Sequence, residues 1–199
     1  MNIVLVDLRE SLVACWRKRC GDVSDVQVVQ GSIFEVACDA LVSPANSFGF
    51  MDGGLDMAIS RAFGWGVQER LQEKIRARHH GELLVGTAEI VSTEHPEVPY
   101  VISAPTMRVP SILGATMNPY LATRAALLLI EHGRLDDGRP IREVVETVAI
   151  PGMGTGVGKV PSGICARQMR AAIGAVLLGE EPFPGDWGEA KERQTKLSH

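Results

Sequence analysis

Two glycine-rich segments, each directly after a short apolar run, constrain this chain most. The first is Ala40-Leu41-Val42-Ser43-Pro44-Ala45-Asn46 leading to Gly53-Gly54-Leu55-Asp56, and the second is Val148-Ala149-Ile150-Pro151-Gly152-Met153-Gly154-Thr155-Gly156-Val157-Gly158. An apolar run of three or four residues closed by glycine and proline reads as a buried strand that ends in a loop. Glycine lets backbone N–H groups approach a ligand closely, and a helix that follows adds its positive end. Two such loops at the same edge of one sheet would clamp an anion between them.

The rest of the chain supplies that sheet. Ile3-Val4-Leu5-Val6 reads as a strand, followed by helically spaced Leu12, Val13 and Trp16 and a stop at Gly21. Strands are expected at 26–29, 40–42, 88–91, 100–103 and 148–150. Helices are expected over 55–63, 67–78 and 118–132, the last with Leu121, Ala125, Leu128 and Leu129 on its inner side. A final helix is expected after Ser162, capped by that serine, with Cys165, Met169, Ala172, Ile173, Val176 and Leu177 as its core face. Strands alternating with helices imply an α/β fold, a three-layer α/β/α sandwich with a mixed, mostly parallel sheet. Ligands on such sheets bind at the carboxyl ends of the strands, where both glycine loops begin. Within the 55–63 helix the apolar stripe is Leu55, Ala58, Ile59, Ala62 and Phe63, and Asp56 lies off it in the first turn, facing a ligand held there.

With 199 residues, 45% of them hydrophobic, the chain can build one sizeable core. The expected organisation is a single domain over 1–179 and a polar tail over 180–199 without hydrophobic period, surface-bound or disordered. The formal charge of −4 gives no electrostatic footprint for a polynucleotide, whose phosphates would need local Lys and Arg instead. No run is long enough to span a bilayer, and Asp7 interrupts the first apolar run too soon for a secretory leader, so a cytoplasmic, monomeric protein is expected. Cys15, Cys20, Cys38 and Cys165 form no Cys-x-x-Cys pair and read as reduced thiols. His79 and His80 read as a solvated helix end, and His95, His132 and His199 show no partner. Neither a metal nor a cofactor is expected.

Two common glycine chemistries do not fit. A phosphate-binding Gly-x-x-x-x-Gly-Lys loop needs a following Ser or Thr to hold magnesium, and Gly158-Lys159 is followed by Val160. A dinucleotide fingerprint opens the first βαβ unit, whereas Gly152, Gly154, Gly156 and Gly158 alternate late in the chain.

Taken in order, Ser43-Pro44-Ala45-Asn46, Gly53-Gly54-Leu55-Asp56-Met57-Ala58-Ile59 and Pro151-x-x-Gly154-Thr155-Gly156-x-Gly158 resemble the macro domain family over roughly 26–178. That family has Asn-Ala-Ala-Asn, a glycine run, Val-Asp-x-Ala-Ile and a late Gly-Thr-Gly loop, and the step from Asn46 to Asp56 equals its separation of Asn and Asp. The resemblance implies ADP-ribose as ligand, free or on a modified protein. Asn46 would hold the distal ribose, Gly53, Gly54 and Leu55 one phosphate, and Gly154, Thr155, Gly156, Val157 and Gly158 the other. Ser32 and Ile33, in the place of the family's Gly-Asp-Ile, would stand by the adenine. It also implies hydrolysis of mono-ADP-ribosyl or O-acyl-ADP-ribose esters, with Asn46 and Asp56 catalytic and Asp56 activating water. The alternatives are a non-catalytic reader that recruits ADP-ribosylated protein, and a module of a larger assembly that binds another nucleotide or none. As a bland role, Asp56 would only stabilise its helix end, whose field lowers a carboxyl pKa. Three departures stand out: Ser32 for the family's Asp, Ser43 for its first Asn, and Gly158 where many hydrolases carry an aromatic, for which Phe48, Phe50 or Trp65 could substitute. Asp52 is an extra acid, expected to face solvent.

Overall fold

A computed structural model describes residues 1–114 and 116–198, so His199 lies outside the described residues. The chain runs β1 (Asn2–Asp7), α1 (Glu10–Cys20), β2 (Val26–Gln30), β3 (Ala40–Ser43), α2 (Gly54–Phe63), α3 (Gly66–Arg78), β4 (Glu89–Ser92), β5 (Tyr100–Ser103), α4 (Asn118–His132), β6 (Thr147–Ile150), α5 (Ser162–Ile173) and α6 (Trp187–Ser198). The six strands lie in the order β2-β1-β6-β3-β5-β4. All neighbours are parallel except β4, which pairs antiparallel with β5.

Strand alternation divides the core in two. Ile3, Leu5, Val42, Val148 and Ile150 point to the layer of α1, α4 and α5, against Leu12, Trp16, Ala126 and Met169. Val4, Val6, Leu41, Val101 and Ala149 point the other way, against Ile59 of α2 and Val67, Leu71 and Ile75 of α3. Both faces are covered, as near-continuous apolar strands require. The three-layer, mostly parallel sandwich is therefore what the alternation of elements dictates. No helix among the described residues is long and apolar enough to cross a membrane.

Several local expectations change. Leu121 is 37% exposed, because the face that α4 buries is Ala122, Ala125, Ala126, Leu127 and Ile130, which turns Leu121 outward. Ser162 does not cap α5. It is the first helical residue, after Pro161, and its hydroxyl pairs with that of Ser11 at 3.0 Å. After a π-helical turn at Gly174–Leu178 the polar tail forms α6, which returns to α5: Leu197 is buried and its carbonyl accepts a 2.9 Å hydrogen bond from Gln168 Nε2. One buried leucine carries too little periodicity to announce a helix.

Candidate functional site

The carboxyl ends of five parallel strands open into one cavity of about 550 Å³, within the range of small-molecule sites. In sheet order, its wall comes from Gly31–Phe34 after β2, Asp7–Arg9 after β1, the late glycine loop after β6, the first glycine loop after β3, and Thr106, Met107 and Pro110 after β5. Every residue the sequence singles out for the ligand lines it: Ser32, Ile33, Asn46, Gly53, Gly54, Leu55, Asp56, Gly154, Thr155, Gly156, Val157 and Gly158. Phe50 also faces the cavity and is 54% exposed. Phe48 instead lies under the Arg108 guanidinium at 5.0 Å, and Trp65 is not part of the wall.

The first loop is knotted by its own asparagine. Asn46 Oδ1 accepts from the amides of Phe48 and Phe50, at 3.1 and 3.3 Å, and its Nδ2 donates to the Phe50 carbonyl at 2.8 Å. An asparagine side chain has two N–H donors, so one remains for a ligand. Asn46 thus shapes the loop as well as facing the cavity. Gly54 opens α2 with φ +56, a backbone that L side chains seldom adopt. No side chain caps this end, and the first bond back along the helix is from the Met57 amide to the Gly53 carbonyl. The amides of the first turn therefore lack helical partners and stand at the cavity wall.

Asp56 is buried rather than simply turned outward, and it accepts a hydrogen bond from the Ser43 hydroxyl. Leu55 and Ala58, part of the expected apolar stripe, line the cavity, so α2 buries Asp56, Ile59 and Ser60 instead. Burial pushes the Asp56 carboxyl up to about 6, with the Asp52 charge adding to the rise and the Ser43 hydrogen bond opposing it. The lowering that a helix end would give is overcome by desolvation. Asp52 is exposed, as expected, yet it also stands in the cavity wall.

The second loop depends on close approach. A Cβ on Gly158 would stand 2.4 Å from the Gly154 carbonyl oxygen and about as close to Leu113 as van der Waals radii forbid, so only glycine fits. The Leu113 amide donates to the Gly158 carbonyl at 2.8 Å and ties the loop to the segment after β5. Gly156, by contrast, has open space where a side chain would project.

Sequence reasoning missed two parts of the site. One is Asp7 and Arg9, at the end of β1. Arg9 Nε and Nη2 pair with the Asp7 carboxylate, its Nη1 donates to the Thr155 carbonyl at 2.9 Å and its Nη2 to the Thr155 hydroxyl, while the Gly152 amide donates to Asp7 at 3.3 Å. Burial tends to raise the Asp7 carboxyl, yet the Arg9 contacts and the Gly152 amide outweigh it and hold it below its ordinary value. This pair braces the late loop and sets a guanidinium in the cavity wall, the one basic side chain there among the described residues. The available signal was positional, an acid and a base where a strand reaches its carboxyl end. The other is the role of Ser43, named from the sequence only as a departure, whose hydroxyl holds Asp56. Its signal was its place in Ser43-Pro44-Ala45-Asn46. No group of three or more His, Cys, Asp or Glu able to hold a metal occurs among the described residues.

Comparison with known proteins places this geometry among relatives. The family described as Macro domain matches residues 42–169. An uncharacterized protein of Aquifex aeolicus is 39% identical over 145 residues, 73% of this chain and 78% of the relative. Two solved structures share the fold. A mutant of the Oceanobacillus iheyensis macrodomain with ADPR has a TM-score of 0.59 at 21% identity, covering 84% of this chain and 88% of its own. Thermosipho africanus DarTG in complex with ADP-ribose has a TM-score of 0.57 at 14% identity, covering 96% of this chain and 56% of its own.

Proposed function

This chain belongs to the macro domain family, and on that premise we propose that its cavity binds ADP-ribose and that Asp56 drives hydrolysis of mono-ADP-ribosyl or O-acyl-ADP-ribose esters. The proposal rests on a buried carboxyl, Asp56, held by the Ser43 hydroxyl in the wall of a cavity built from two amide-lined loops, where burial pushes its pKa up towards neutrality. A diphosphate suits those loops, since uncapped amides at the start of α2 and the backbone of 154–158 supply neutral donors from both sides. Arg9 adds one cation. Asn46 directs its remaining N–H to a hydroxyl of the distal ribose. At the β2 end, Ser32 uses its oxygen to accept the Phe34 amide at 3.3 Å and keeps its hydroxyl proton for the adenine, beside Ile33.

In the reaction, Asp56 in its ionised form takes a proton from water as the water attacks, and Ser43 keeps the carboxylate oriented. A base with a pKa near 6 is half-ionised at that pH and ionised at neutrality. The rate kcat/KM is therefore expected to rise with pH through about 6 and to level off above 7. The measurement is release of ADP-ribose from an ester-linked mono-ADP-ribosyl peptide, and of acetate from O-acetyl-ADP-ribose, between pH 4.5 and 8.5. A protein that binds ADP-ribose yet cleaves neither ester at any pH would be a reader instead.

A further inference from the structure

The sheet is a ruler for whatever lies across it. From β2 to β5, the fifth strand in the order, are four strand spacings, about 19 Å in all. If ADP-ribose lies along this edge with adenine at β2 and its diphosphate between the loops of β6 and β3, the distal ribose reaches Asn46 and Asp56. The group esterified to that ribose then falls at the β5 end. This end is apolar: Phe50, Met107 and Pro110 line it, and Val109 and Ile112 stand on the same segment, 48% and 75% exposed. The segment is held in place, for the amides of Ala104 and Thr106 donate to the carbonyls of Ser43 and Ala45, and the Ser47 amide donates to the Arg108 carbonyl. An apolar lip fixed beside a base is a surface with an occupant to find.

Resting on the reading of the cavity as an ADP-ribose site, we propose that this end is an acyl subsite, and that the chain acts on ribose esters whose aliphatic acyl group is longer than acetyl. Charge separates this occupant from an acidic peptide. The charged residues lining the cavity here are Asp52 and Asp56, and the nearby Arg108 is engaged by Glu82 through bonds of 2.8 and 3.2 Å. A peptide rich in Asp and Glu would meet like charges and no free cation, whereas an alkyl chain meets Phe50, Met107 and Pro110. The chemistry balances without a co-reactant. Water adds to the acyl carbon, the bond from that carbon to the ribose oxygen breaks, and the proton taken by Asp56 is returned to the ribose oxygen. The products are the ribose hydroxyl and a carboxylic acid, which ionises and releases one proton to solvent.

The test compares O-acetyl-, O-butyryl- and O-hexanoyl-ADP-ribose. Each methylene that leaves water for the lip contributes about fourfold, so kcat/KM is expected to rise by roughly that factor per methylene until the lip is covered. Phe50→Ser should flatten the series, and it alters a lining residue too exposed to threaten folding. Equal rates along the series would overturn the acyl subsite while leaving the esterase reading intact. So would an ester-linked acidic peptide cleaved faster than the hexanoyl ester. Failure to cleave any of these esters despite binding of ADP-ribose would instead remove the catalytic reading itself, and the subsite with it.

Discussion

Asp56→Asn is expected to lower ester hydrolysis by about 10²–10⁴-fold while leaving ADP-ribose affinity nearly unchanged, since a positioned general base is worth about that much and makes little ground-state contact. The same change should stabilise the fold. A carboxyl raised from 3.8 to about 6 by burial favours the folded state below pH 4, and that contribution is lost as pH rises through 6. The stability of Asp56→Asn relative to the parent should therefore grow by roughly 2 kcal/mol between pH 4 and pH 7, at 1.36 kcal/mol per pKa unit. Urea denaturation of both proteins at the two pH values measures it. Parental turnover in the variant would remove Asp56 from the chemistry, and a stability difference independent of pH would show that its carboxyl is not raised. A gain in stability with a loss of rate marks a residue kept for function at a cost to the fold.

Gly156→Val and Gly53→Val are expected to abolish ADP-ribose binding with little change in melting temperature. Both glycines have open space where a side chain would project, and neither has the positive φ that would strain valine. The branched side chains would stand in the two loops between which a diphosphate must lie. Gly54→Val is a poorer probe, because its φ of +56 adds backbone strain at the start of α2. Calorimetric titration of each variant beside thermal unfolding checks the claim. Parental affinity in both would take the phosphates out of these loops.

Much of this site is legible in the chain because its determinants are local. Ala40-Leu41-Val42 and Val148-Ala149-Ile150 announce buried strands, and glycines after them announce loops that must come near something, so the fold and the cavity floor follow from short segments. Asn46 and Asp56 belong to the same local pattern. What stayed hidden depends on distant residues. Arg9 finds its partner at Thr155, across the β1–β6 neighbour relation, and no spacing in sequence encodes that pairing. The raised Asp56 pKa arises from the packing around α2, which the first-turn position alone would have led to the opposite sign. In α6 Leu197 alone is fully buried, with its carbonyl held by Gln168, and Arg193 reaches the Pro182 carbonyl. A docked face whose one apolar anchor is a leucine beside an alanine and an arginine leaves little hydrophobic period to read.

If two amide-lined loops and the ribose end of one cavity act together on a single ligand, titration of the unmodified protein with ADP-ribose and with AMP must tell the two ligands apart. Micromolar affinity is expected for ADP-ribose, about −8 kcal/mol, with far weaker binding of AMP, which cannot reach the second loop and Asn46 at once. Equal affinity for the two, or no heat with either, would contradict it.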